Sequence, residues 1–179
     1  MNLHEELKIA LEAVAEPGRA APMQAYMRDQ FVFLGVAAPQ RRLAVKALLA
    51  NLRGVGADVL LEHAQLLWQQ PQREYQHVAL DMLALHRRQL GVEHLPALLG
   101  LARQRAWWDS VDGMAGIVGD VLQAELRRRA STPRCVCWVD RRSAWLVLQR
   151  FAAAERRQLL AVRVGKRRHG LGRVARVVA

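Results

Sequence analysis

The chain has 179 residues, 52% of them apolar, and a formal net charge of +11. That is one domain's worth of chain with enough apolar material for a core, which excludes global disorder. No stretch approaches the roughly 18 uninterrupted apolar residues of a membrane-spanning helix. The polar, acidic opening Met1-Asn2-Leu3-His4-Glu5-Glu6 lacks the basic region and apolar run of a secretory signal. The only cysteines, Cys135 and Cys137, are too few and too close for a disulfide framework. A cytoplasmic location is therefore expected. The charge is unevenly spread: residues 1–126 hold 12 Lys+Arg and 14 Asp+Glu, whereas 127–179 hold 15 and 2. Such asymmetry marks either nucleic-acid binding or a tail unlike the body. Arginine outnumbers lysine 24 to 3, which fits a GC-rich genome as well as a phosphate-binding role.

In chain order, apolar residues recur at spacings of three and four, the helical period. Leu3, Leu7, Leu11 and Val14 form one face of a first helix, which Pro17-Gly18 is expected to end. A second short helix is predicted over 21–30. Phe31 to Val36 reads as a short strand or a packed connector, and the lack of any partner strand favours the connector. Pro39 suits a first helical turn, with residues 42–52 carrying that helix to Gly54 and Gly56. Asp58 is the expected cap of the next, whose buried stripe is Val59, Leu60, His63, Leu66 and Leu67, ending at Pro71. Helices over 74–90 and 92–105 follow, then a helix or helix pair over 106–129. The class is all-α. Serial antiparallel pairs suggest an α-solenoid of HEAT type truncated at its C-terminal end, with a compact bundle as the alternative.

The segment Trp107-Trp108-Asp109-Ser110-Val111-Asp112 carries the chemistry. Trp108 and Asp112 stand four apart and share a helical face, with Asp109 close to it. A tryptophan face and a carboxylate both attract a cation, as the oxocarbenium-like transition state of N-glycosidic cleavage requires. The alternative is structural: Trp107 filling the core and Asp109 capping a helix.

This segment resembles the tryptophan–aspartate motif of the DNA alkylation repair family, the AlkD-like HEAT-repeat DNA glycosylases. Three other stretches agree: Met23 to Val36 with its tyrosine, Pro39-Gln40-Arg41-Arg42, and Glu74 to Asp81; Val118-Gly119-Asp120 follows in order. These blocks lie within residues 3–126. The resemblance implies hydrolysis of the N-glycosidic bond of cationic alkylated purines, N3-methyladenine and N7-methylguanine, in duplex DNA without base extrusion. It implies Asp112 and Trp108 as the catalytic pair. It also implies DNA contacts from Tyr26, Arg41, Arg42 and Trp107, while Arg141 and Arg142 lie where they could reach phosphates. The expected partner is double-stranded DNA containing alkylated bases, bound by a monomer, with no cofactor, no metal ion and no membrane.

The C-terminal part departs from that pattern. The family opens a later helix with a tryptophan, a leucine and then an arginine. Here Trp145-Leu146-Val147-Leu148 places Leu148 at the arginine position. We therefore expect a HEAT-like helical domain over 1–148 and a basic, poorly matching tail over 149–179, with turnover weakened or absent. Three readings of that tail stay open: a phosphate-binding arm, a solvated C-terminus, or an out-of-frame product of a GC-rich gene. The alternative function is a non-catalytic nucleic-acid-binding or protein-interaction HEAT protein. Trp68, Trp138 and Trp145 read as core, and His86-Arg87-Arg88 as a solvated helix end. His4, His63, His77, His86, His94 and His169 are not at metal-ligand spacing.

Overall fold

The structure, a computed structural model, describes residues 2–129. Within them the chain is all-α, with seven helices: α1 (Leu3–Glu12), α2 (Pro17–Tyr26), α3 (Ala38–Ala50), α4 (Ala57–Gln69), α5 (Arg73–Leu85), α6 (Leu95–Arg103) and α7 (Trp108–Arg129). Single 3₁₀ turns at Arg87–Gln89 and Val92–His94 join α5 to α6. Residues 130–179 lie outside the described part, so Cys135, Cys137, Trp138, Arg141, Arg142, Trp145, Leu148, His169 and the basic tail have no structural account here.

The helices pack in two layers. α1 lies on α3, α3 on α5 and α5 on α7, while α4 packs on α5 and α6, and α6 on α7. This layering agrees with serial helix pairs, in which each pair buries a face that it could not cover alone. The core between the layers holds Leu7 and Leu11, Val45 and Leu49, Leu60 and Trp68, Met82 and Leu83, Leu98 and Leu101, and Val111 and Met114. α2 is the exception: none of its residues is buried, and it packs only lightly on the other helices.

Several local expectations change. Pro17 begins α2 rather than closing α1, because its fixed φ and missing N–H are harmless in a first helical turn. α4 is entered from Gly56 without a side-chain cap, so Asp58 is a first-turn residue and not the N-cap. The buried stripe of α4 is Leu60, Ala64, Leu67 and Trp68, while Val59 and Leu66 are exposed. The large Trp68 ring sets this rotation, and its Nε1–H donates to the Gln104 carbonyl at 2.9 Å. The C-terminal end of α4 is closed from another helix: Gln76 Nε2 donates to the carbonyls of Trp68 (3.1 Å) and Gln70 (2.7 Å). His86 is buried and meets the Leu49 carbonyl through Nε2 at 2.8 Å, so it is not a solvated helix end.

The connector after α2 is packed, and its strand-like contact is an isolated bridge between Val32 and Gln72. Gly35 sits there at φ +90°, and a Cβ on it would lie 2.2 Å from the Glu16 carbonyl oxygen. Left-handed backbone alone costs an L-residue roughly 1–2 kcal/mol. Gly35→Ala is therefore expected to lose about 2 kcal/mol or more, read as a lower urea midpoint at unchanged slope. An unchanged midpoint would contradict this tight approach.

Candidate functional site

The site is assembled at the N-terminal ends of α3, α5 and α7, beside the C-terminal end of α2. α5 begins with two charged residues that are both fully buried, Arg73 and Glu74. Each is tied to a different partner. The Glu74 carboxylate accepts from the backbone N–H groups of Leu34 (3.0 Å), Gly35 (3.0 Å) and Val36 (3.1 Å), fixing the connector against α5. Arg73 reaches α7. Its Nε and Nη2 donate to the two carboxylate oxygens of Asp109 at 3.0 and 2.6 Å, and Nη2 also donates to Ser110 Oγ at 2.9 Å. Its remaining Nη1 donates to the Arg105 carbonyl at 3.1 Å. The guanidinium lies 3.9 Å from the centre of the Phe31 ring, a cation–π contact in a desolvated setting.

The network continues into α3. His77 Nε2 lies 2.7 Å from Asp109 Oδ2, and its Nδ1 lies 3.4 Å from Arg41 Nη1. An arginine can only donate, so Nδ1 accepts and Nε2–H donates to Asp109. Arg41 is itself nearly buried and donates through Nε and Nη2 to Asp81 Oδ2 at 3.2 and 2.9 Å. Arg42, exposed, comes within 3.6 Å of the other Asp81 oxygen. One continuous chain of hydrogen bonds thus runs Arg73–Asp109–His77–Arg41–Asp81 and links α7, α5 and α3. Burial would by itself raise the pKa of Asp109. Hydrogen bonds from His77 and Arg73, with the Arg73 charge, outweigh that and hold its carboxyl well below the usual carboxylate range.

Aromatic rings lie over this network. Tyr26 at the end of α2 is 71% exposed and Trp108 at the start of α7 is 43% exposed. Their centroids are 5.9 Å apart with planes at 83°, an edge-to-face pair. Phe31 and Trp107 make a second such pair at 6.3 Å. Asp112 is exposed one helical turn after Trp108.

The structure thus brings Tyr26 and Trp108 together and leaves Asp112 and Arg42 at the surface. It separates Asp109 from Asp112. Asp109 belongs to the internal network and does not simply cap the helix, because Arg73 is buried behind it. Arg41 is turned inward and committed to Asp81, so its guanidinium is not offered to solvent. Sequence reasoning missed Arg73, Glu74, His77 and Asp81. The signal was present: Arg73, His77 and Asp81 recur at intervals of four on a helix whose other residues are mostly apolar. Among the described residues, no group of three or more His, Cys, Asp or Glu side chains could hold a metal ion. None of the described helices is long and apolar enough to cross a membrane.

Fold and site together define an all-helical protein that presents an aromatic pair and a carboxylate on a face braced by internal ion pairs. The chain belongs to the DNA alkylation repair enzyme family, whose model matches residues 7–167. The match runs past residue 126, where the sequence blocks quoted above end, and into the basic tail. Among solved structures the chain is similar to an Enterococcus faecalis protein described as a predicted DNA alkylation repair enzyme, with 30% identity and a TM-score of 0.62. That similarity covers 75% of this chain and 65% of the other, just under two-thirds of its length. No curated protein matches the chain.

Proposed function

We propose that the protein is a DNA repair glycosylase that hydrolyses the N-glycosidic bond of cationic alkylated purines, N3-methyladenine and N7-methylguanine, in duplex DNA. The observation that carries this reading is the exposed Trp108 ring, braced edge-on by Tyr26, with the exposed Asp112 one turn further along α7. The negative face of the indole and the carboxylate both favour positive charge. In the substrate that charge is on the alkylated base, and as the bond breaks it passes to the sugar. Groups placed at the sugar, where the charge arrives, stabilise the transition state more than the ground state, without any proton transfer to the leaving base.

In this reading Trp108 packs on the sugar of the damaged nucleotide. Asp112 stabilises the developing oxocarbenium ion and orients the water that adds to it. Tyr26 and Trp107 line the nucleotide, and Arg42 contacts the phosphate backbone. Arg41 acts from within, as a strut between Asp81 and His77. The buried network holds the first turn of α7 in place, so that Trp108 and Asp112 meet the substrate without reorganising. No metal or cofactor takes part in these steps.

The test is base release from methylated duplex DNA by the parent protein and by the Asp112→Asn and Trp108→Ala variants. Release that falls in both variants is the expected result. Duplex binding with no release by the parent would select the non-catalytic DNA-binding reading, which Leu148 at the family's arginine position favours.

A further inference from the structure

Beneath the weakly held helix α2 lies a cavity of about 360 Å³. Its walls are apolar and come from three elements, Met23 and Met27 of α2 and its end, Phe33 and Val36 of the connector, and the exposed Ala38 at the start of α3; its polar groups come from Arg41 and His77. Met27, Phe33, Val36 and Arg41 are buried, and Tyr26 at the rim is exposed. Tyr26 therefore belongs both to this cavity and to the edge-on pair with Trp108. We propose that the cavity binds a neutral, flat nitrogen heterocycle of purine size, the free alkylated base released at the adjoining face. This rests on the glycosylase reading.

Size, charge and position each support that occupant. Ligand cavities run from roughly 300 Å³ upward, so this one suits a single small ring system and not a nucleotide. Arg41, the charged group of the lining, is already paired with Asp81 and can only donate hydrogen bonds. An apolar cavity whose one cation is paired offers nothing to offset the desolvation of a cationic alkylpurine, whereas a neutral base loses little and presents ring nitrogens as acceptors. Glycosidic cleavage makes that change of charge: the electron pair of the C1′–N bond stays on the base nitrogen and cancels its positive charge. The sugar takes up the charge, adds water at C1′ and releases a proton to solvent. The face with Trp108 and Asp112 suits the cation before cleavage, and the cavity beside it suits the neutral base afterwards. The walls can adapt, since two are methionines and α2 carries no buried residue.

The experiment is a titration of the full chain, carrying ¹³C-methyl methionine, with 3-methyladenine free base. Of the five methionines, Met23 and Met27 line the cavity, while Met82 and Met114 are fully buried elsewhere and serve as internal references. Saturable shifts confined to the Met23 and Met27 methyls are expected. Ala38→Leu, a substitution at the exposed rim, is expected to abolish them while the Met82 and Met114 signals stay in place. Benzyltrimethylammonium, a flat-ringed cation, is expected to leave Met23 and Met27 unmoved. Absence of shifts up to the solubility limit, shifts that survive Ala38→Leu, or equal shifts with the cation would each overturn the proposal. Base release from methylated DNA is measured on the same sample. Release without methionine shifts sinks the cavity assignment alone; shifts without release sink the catalytic reading and leave the cavity as a base-binding site.

Discussion

Arg73→Met is expected to destabilise the protein by about 3–5 kcal/mol, the range for removing one partner of a buried ion pair. The side chain of Arg73 is completely buried and that of Asp109 is 8% exposed. Removing the guanidinium leaves the carboxylate, among the described residues, with His77 and the Ser110 backbone N–H as donors. It also removes the hydrogen bonds to Ser110 Oγ and the Arg105 carbonyl, and the cation over Phe31. Folded domains are stable by roughly 5–15 kcal/mol, so a loss of this size takes about a fifth of the total or more. Urea unfolding followed by circular dichroism measures it. The double variant Arg73→Met/Asp109→Leu is expected to recover part of the loss, because no charge is then left unpaired. A single variant as stable as the parent would show that the pair contributes nothing.

The same pair sets the acid response. The folded Asp109 has a pKa below that of the unfolded chain, so the unfolded state binds more protons as the pH falls through the ordinary carboxylate range. Its contribution is therefore complete at neutral pH. It declines as the pH drops below the unfolded value near 4, and is lost as the pH falls through the depressed folded value. The Asp109→Asn variant is expected to be less stable at neutral pH and to show a shallower fall of unfolding free energy on acidification. Parallel curves for parent and variant would contradict that assignment.

Asp112→Asn is expected to reduce base release from methylated duplex DNA by about 10²–10³-fold, the usual effect of deleting one preorganised group that stabilises transition-state charge. Trp108→Ala is expected to cost less, about 5–30-fold, from the roughly 1–2 kcal/mol of a partly desolvated cation–π contact. Both side chains are at the surface, so both variants should lose far less stability than Arg73→Met. That separates loss of chemistry from loss of fold. A variant of Asp109, by contrast, should lose stability and activity together. If Asp112→Asn released base at the parental rate, the role given to that carboxylate would be wrong, whatever the behaviour of Trp108.

The helical class, the punctuation by Pro39, Gly54 and Gly56, and the pairing of Trp108 with Asp112 on one face were all legible from spacing. Each follows from the 3.6-residue period or from the backbone freedom of one residue, and both are local properties. The resemblance blocks likewise pointed to the family in which the chain belongs. Which way a helix turns its stripe was not legible, because neighbouring rows of α4 are both apolar. The choice of Ala64 and Trp68 over Val59 and Leu66 came from a partner carbonyl 36 residues away, on Gln104. Only the resemblance distinguished the two aspartates of the motif; spacing could not, for the same reason. Asp109 and Asp112 differ by less than one helical turn, and only the position of Arg73, 36 residues earlier in the chain, draws one inward. The network of Arg73, Asp109, His77, Arg41 and Asp81 joins three helices through contacts more than 30 residues apart in sequence. Charges so far apart along the chain acquire partners only when packing removes water from between them, so their role belongs to the assembled fold and not to any one segment.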